Sequence, residues 1–407
     1  MVHIHTRLRA LLAATLLCAL LATPAAPAVA KHGHPHHHAK KSKRVKHRRK
    51  PARHKASTSH PSGASGQPAP ATAPAGGSPA GSSDGTTAPS DSALSGPTPP
   101  ADTPISGAPS PGRLFSPASF WNAPLPDDAA LDPLSGVYVS ELQAQLKLSP
   151  PWINYNRYST PVYTVPAGQA TVHVTLDKTG SGDLQAVFNA VPIPQGATPA
   201  AGNDATLTIW QPDTDTLWEF WRAALRADGW HAAYGGRMTN VSQSPGYFDG
   251  AQSRWGATAT SLPFIGGLMR ISELKAGHFD HALAISIPEV RANVYSWPAQ
   301  RTDGTVADPN AIPEGTRFRL DPSLDLTKLR LPPLVFEMAQ AVRRYGLVVR
   351  DRGAGVTFYG EDPTPLGIDP YGVVGGFFGR QYPDKLLAQF PWSHLQALKT
   401  TLAVDSY

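Results

Sequence analysis

The chain has 407 residues, with 36 Lys plus Arg against 30 Asp plus Glu, 42 Pro, 36 Gly and a single Cys. One cysteine excludes an internal disulfide framework, so an apolar core alone must hold the fold. From Arg113 onward there are 23 Lys plus Arg against 27 Asp plus Glu, a net charge of −4, so a basic binding groove in that part is not implied.

Residues 1–30 carry the three parts of an export signal: Arg7 and Arg9, an apolar run over residues 11–22, and the small-residue site Ala28-Val29-Ala30. That run is too short to span a hydrocarbon core of about 30 Å as a helix, so no transmembrane segment is expected. Cys18 lies inside it and leaves with it, and the expected location is extracellular, with cell-wall association as a variant. Residues 31–55 are almost entirely Lys, Arg and His. Such a run stays solvated. Three roles are open to it: neutralising an anionic polymer, binding transition metals through His32, His34, His36, His37 and His38, or acting as a solubilising tail. It lacks an aromatic residue to stack bases, so sequence-specific nucleic-acid recognition is not expected. Residues 56–112, rich in Pro, Ala, Ser, Gly and Thr, read as a disordered linker. The folded part is expected over residues 113–407, where all nine Trp lie.

Within it, residues 135–147 predict a helix with Val139, Leu142 and Leu146 on one face. Residues 171–176 alternate as a strand. Residues 205–211 and 216–223 flank Pro212-Asp213-Thr214-Asp215 as a hairpin. Further strands are expected within residues 229–241, over 281–287 and 294–297, and over 317–320. A helix starts after Pro332-Pro333, runs through residues 334–345 and stops at Gly346. Residues 347–350 and 356–359 read as a strand pair. Many short strands with two or three peripheral helices predict a mainly β fold, an antiparallel sandwich or jelly roll.

Familiar catalytic motifs fail on order or context. Ser272-Glu273-Leu274-Lys275 follows Lys178-Thr179-Gly180, the reverse of the order in penicillin-binding enzymes, and the middle motif is missing. What remains is a constellation. Glu219 sits in Trp218-Glu219-Phe220-Trp221, a carboxylate in mid-strand whose burial would raise its pKa, and a structural ion pair with Arg270 or Arg317 is the plainer alternative. Glu273 precedes His278-Phe279-Asp280-His281, and His281 begins an apolar strand face, placed as a base or as a satisfied core histidine. A metal site of Glu273, His278 and Asp280 matches no familiar spacing, so no metal and no cofactor is expected. Trp121, Trp152, Tyr155, Tyr158, Trp210, Trp255 and Trp297 offer faces for sugar stacking or for the core.

The runs Phe120-Trp121-Asn122, Gly277-His278-Phe279-Asp280-His281-Ala282-Leu283, Trp297-Pro298-Ala299, Gly315-Thr316-Arg317-Phe318-Arg319-Leu320 and Arg344-Tyr345-Gly346 resemble a family of bacterial secreted proteins. The resemblance extends from about Ser116 to Asp362 and departs from the pattern at Gly256-Ala257-Thr258-Ala259-Thr260. It implies export and a sandwich-like domain, but it transfers no catalytic residue.

Two functions are then expected. One is a carbohydrate-active hydrolase or lyase of an extracellular or wall polysaccharide, with Glu219 and Glu273 as paired carboxylates and His281 as auxiliary base. The other is a non-catalytic glycan or cell-envelope binder whose basic tail grips a polyanion. Oligomeric state is not legible.

Overall fold

The computed structural model describes residues 113–178, 182–372 and 375–406, so the expectations for the export signal, tail and linker lie outside the described residues. In chain order the elements are α1 (Ser135–Leu148), β1 (Trp152–Asn154), β2 (Val162–Thr164), β3 (Val174–Leu176), α2 (Gly182–Val187), β4 (Leu207–Gln211), β5 (Thr216–Trp221), β6 (Ala224–Arg226), β7 (Gly229–Ala232), β8 (Tyr234–Thr239), α3 (Ile271–Ala276), β9 (Leu283–Ile287), β10 (Val294–Ser296), β11 (Arg317–Leu320), α4 (Pro333–Arg344), β12 (Leu347–Arg352), β13 (Thr357–Tyr359), α5 (Pro383–Leu387), β14 (Leu395–Ala397) and β15 (Leu402–Val404). The described residues are mainly β with few helices, and among them only α1 and α4 exceed ten residues.

β9 is buried at every position, as a central strand must be. Leu283, Ile285 and Ile287 enter a core shared with α1 and α4, while Ala282 and Ala284 enter a second core with Trp121, Leu262 and Phe264. The two-residue period of a strand delivers alternate side chains to these two cores. Around β9 a six-stranded sheet runs in the order β1-β13-β9-β12-β11-β14. Here the expected antiparallel pairing needs correction. β1 with β13 and β9 with β12 are parallel, and the remaining pairs of this sheet are antiparallel. Alternation in a sequence records which face is buried and nothing about the direction of a partner strand. The parallel β9–β12 pair needs a long crossover, and residues 288–346 supply it. The expected pairing of residues 347–350 with 356–359 is likewise split, because β9 inserts between β12 and β13.

A smaller mixed sheet, β2-β4-β5-β8, lies in the second core. Its β4–β5 hairpin follows the expected turn: Pro212–Thr214 form a short 3-10 segment and Asp215 takes a left-handed conformation at φ 49°. The expected strand over residues 171–176 shortens to β3, and residues 229–241 divide into β7 and β8. β3-β7-β6 and β10-β15 complete the sheets.

α4 begins with Pro333 at its first position, where a missing N–H costs nothing. It buries Val335, Met338, Ala339 and Val342, the i, i+3, i+4, i+7 stripe of an amphipathic helix. It ends as expected at Gly346, whose φ of 96° is open to glycine. A Cβ there would sit 2.7 Å from Arg317 Nε and 3.0 Å from Phe318 O. Gly346→Ala is therefore expected to lower stability by about 1–3 kcal/mol in urea unfolding, from backbone strain and overlap together. A variant as stable as the parent would contradict this account of the helix end.

Candidate functional site

The segment from Gly256 to Gly267 has no regular secondary structure, yet most of it is buried. A buried irregular chain needs partners for its backbone polar groups, and three charged side chains from separate segments provide them. Glu219, in mid-β5 and fully buried, accepts the Ala257 N–H at 2.6 Å through Oε1 and the Phe264 N–H at 2.7 Å through Oε2. Arg350 Nη1 donates to the carbonyls of Phe264 and Gly266, the latter at 2.8 Å. Arg301 Nη2 donates to Thr258 O at 2.7 Å and Gly256 O at 3.2 Å. The Arg350 guanidinium also lies over the rings of Phe264 (4.3 Å) and Tyr359 (4.4 Å), where cation–π attraction offsets part of its lost hydration.

The pairing of β12 with β9 slips between Val349 and Asp351, so Arg350 is the extra residue of a β-bulge. Leu347 and Val349 face the helix-side core and Val348 the other. Strict alternation would send Arg350 to the second side and Asp351 back to the helices. The bulge keeps both on the second side, with Asp351 opposite Ser286.

The clamped segment floors a cleft of about 780 Å³, with Gly256, Ala257, Thr258, Ala259 and Phe264 in its lining. Trp152, Tyr158, Trp221 and Tyr234 stand in its walls, and Asp204, Asp303, Asp351, Lys178, Arg301 and Arg352 bring charge to it. Trp152 keeps 39% of its surface exposed. Asp303 and Asp351, with Glu314 beneath them, form a group in which one carboxylate oxygen of each residue lies within 4.8 Å of the others. Burial raises all three pKa values, helped for Glu314 by Asp351 and Asp303 and for Asp351, pushed to about 7, by Asp303. Glu314 is held by a glycine: Gly315 adopts φ 84°, and a Cβ on it would meet Ser296 O at 1.7 Å.

The residues singled out from the sequence separate into two places. Glu219 lies under the cleft floor, and its charged neighbours are Arg350 and Arg301 in place of Arg270 or Arg317. Burial lifts its carboxyl to about 7 against an ordinary 4.5, although the Ala257 and Phe264 amides and the two guanidinium groups pull the other way. Glu273 and His281 pair with each other, Nε2 to Oε1 at 3.0 Å, beside a small hollow lined by Arg113, Trp121 and Arg270. Burial opposes that pair, but their mutual charge and hydrogen bond outweigh it. Glu273 stays below the ordinary glutamate value and His281 above the ordinary histidine value. Glu273 Oε2 also accepts the Arg270 N–H at 2.9 Å, at the start of α3. Glu219 and Glu273 therefore do not face one another across one cleft. His278 and Asp280 meet at 3.5 Å on the surface, Arg270 pairs with Glu361 at 3.0 Å, and Arg317 donates to Tyr345 O at 2.9 Å.

Of the aromatics, Trp152 and Tyr158 reach the cleft, Trp121 and Trp255 are core, and Trp297 is exposed elsewhere. Asp303, Glu314 and Asp351 escaped sequence reasoning. The available signal was Arg350-Asp351-Arg352, a charged run continuing an apolar strand.

The raised pKa of Glu219 fixes a sign. Below pH 4.5 it is neutral in both folded and unfolded chains, whereas above about 7 the folded chain must bury its charge. Glu219→Gln cannot ionise, so its stability should gain on that of the wild type between about pH 5 and pH 8, by up to roughly 3 kcal/mol. A stability difference in urea unfolding that does not change with pH would contradict the assignment.

No helix among the described residues is long and apolar enough to cross a membrane. No family model matches the chain, and no curated protein or solved structure matches it.

Proposed function

We propose that this is an exported carbohydrate-active protein that takes a polysaccharide strand into the cleft and cleaves it there, as a hydrolase or a lyase. The observation that carries the reading is the pairing of aromatic walls with charged side chains, Asp303 and Asp351 among them, that open onto the same cleft. Sugar rings present apolar C–H faces that stack on indole and phenol rings, while their hydroxyls need polar partners. Trp152, Trp221 and Tyr234 offer the first, and Asp204, Asp303, Asp351, Lys178 and Arg352 the second. The volume lies within the usual range for sites that enclose a ligand, roughly 300–1,000 Å³. Catalysis is assigned to the carboxylates that face the cleft, Asp303 and Asp351, because a group that acts on substrate must reach it. Glu219 serves them indirectly by holding the floor. A jelly-roll or sandwich description of the sheets belongs to the same proposal, as do wall association and a tail that grips a polyanion.

A panel of neutral and acidic extracellular polysaccharides tests this with the full chain. Trp152→Ala should weaken binding by about tenfold with the fold unchanged, since one stacked ring is worth roughly 0.5–1.5 kcal/mol beyond its buried area. Asp351→Asn should lower the release of chain ends at least a hundredfold while the polysaccharide still binds. Saturated new ends identify hydrolysis and unsaturated ones elimination. Binding without any release of ends would favour the non-catalytic reading, and no binding across the panel would overturn both.

A further inference from the structure

Asp303, Glu314 and Asp351 come from three segments, the first two from the long connection between β9 and β12 and the last from the bulged end of β12. Ionised carboxylates this close repel strongly in a partly desolvated site. The group is nevertheless fixed in place. Asp351 accepts the backbone N–H of Arg352 at 2.9 Å and that of Ala259, and Glu314 Oε2 accepts the backbone N–H of Asp303 at 3.2 Å.

The other oxygen of Glu314 supplies a second observation. The residue is fully buried, and its Oε1 has no hydrogen-bond partner. A buried acceptor without a donor is costly and calls for an explanation. The cations nearby do not supply one. Arg352 Nε stands 3.6 Å from Asp303 Oδ1, and Arg301 directs its Nη2 to the Gly256 and Thr258 carbonyls while its Nε, also buried, meets no acceptor.

We propose that Asp303, Glu314 and Asp351 bind a hard divalent cation of the calcium class at the floor of the cleft. Oxygen ligands held about 2.3–2.6 Å from calcium lie at most roughly 4.6–5.2 Å from one another, and the 4.8 Å limit of this group fits that span. A donor set made only of carboxylates suits calcium or magnesium and disfavours zinc and copper, which favour imidazole and thiolate. Asp303 and Asp351 are open to the cleft, which suits the ion that tolerates irregular geometry and keeps positions for outside ligands. Those positions face the cleft, so an anionic group on a bound glycan would complete the shell, and Asp303 and Asp351 would then contribute to cleavage through the ion they hold and not as a free acid and base. That last role rests on the carbohydrate reading, whereas binding of the ion does not.

The test is calcium alone, titrated by calorimetry into the full chain after treatment with EDTA and dialysis, with Tm read in parallel. One site should appear, and Tm should rise by about 5 °C at a hundredfold excess over Kd. Asp303→Asn and Asp351→Asn should each weaken binding at least tenfold. Their metal-free Tm should be no lower than that of the wild type, because each relieves like-charge repulsion. The absence of heat and of a Tm shift up to about 10 mM calcium, tenfold beyond the weakest extracellular sites, would overturn the proposal, as would unchanged affinity in both variants. Calcium binding without polysaccharide turnover would uphold the ion site while counting against the carbohydrate reading, so the two fail separately.

Discussion

The rest of this structure depends on the clamp that three charged side chains, Glu219 and Arg350 fully buried and Arg301 at the cleft, place on residues 256–267. Without a helix or strand to pair its backbone, a segment at that depth would leave several amides and carbonyls unsatisfied. Glu219 takes two of the amides, and Arg350 and Arg301 take four of the carbonyls. Charge-assisted bonds to backbone are stronger than neutral ones, but each ion must leave water to form them. The clamp closes because acid and base share one neighbourhood, so each charge offsets part of the desolvation of the others.

That arrangement positions the cleft. The clamped segment is its floor; alternation points Arg350 onto it, and the bulge brings Asp351 to the same side. One extra residue in β12 thus links the element that stabilises the floor to the acidic group beside it. The aromatic walls come from different elements: Trp152 from β1, Trp221 from the end of β5 and Tyr234 from the start of β8. A ligand bound there would touch the six-stranded and four-stranded sheets together.

Much of the local structure was legible in the sequence. The helix over residues 135–148, the proline start and glycine stop of α4, the β4–β5 turn and the strand Arg317–Leu320 all carry local signals, and local signals survive in a tertiary context. Strand direction and order were not legible. They follow from which strand β9 chooses as neighbours, a long-range outcome that a period of two does not encode. The burial of Glu219 could be read from its place between Trp218 and Phe220, but its partner could not. Arg350 is far away in the chain, and alternation alone says only which face it takes, not what it meets there. The cleft acids were hidden for the same reason. Asp303 lies in an irregular stretch and Glu314 in an isolated bridge to Tyr295, within a long connection whose sequence carries no strand or helix period there, and alternation would send Asp351 to the opposite side. The phase that puts His281 at the start of an apolar strand face, with Glu273 just upstream, is a true local signal, but the two residues pair with each other away from the cleft.

The central claim, that buried charge holds the floor, is open to one direct measurement: hydrogen exchange of the amides in residues 256–267, in wild type and in Arg350→Met. Loss of the guanidinium removes two charge-assisted bonds, so exchange in that segment should accelerate by roughly tenfold to a hundredfold or more. The amides of β9 and α4 should keep their protection. If the segment instead exchanges at the wild-type rate, or only in step with global unfolding, the floor is held by something other than the clamp.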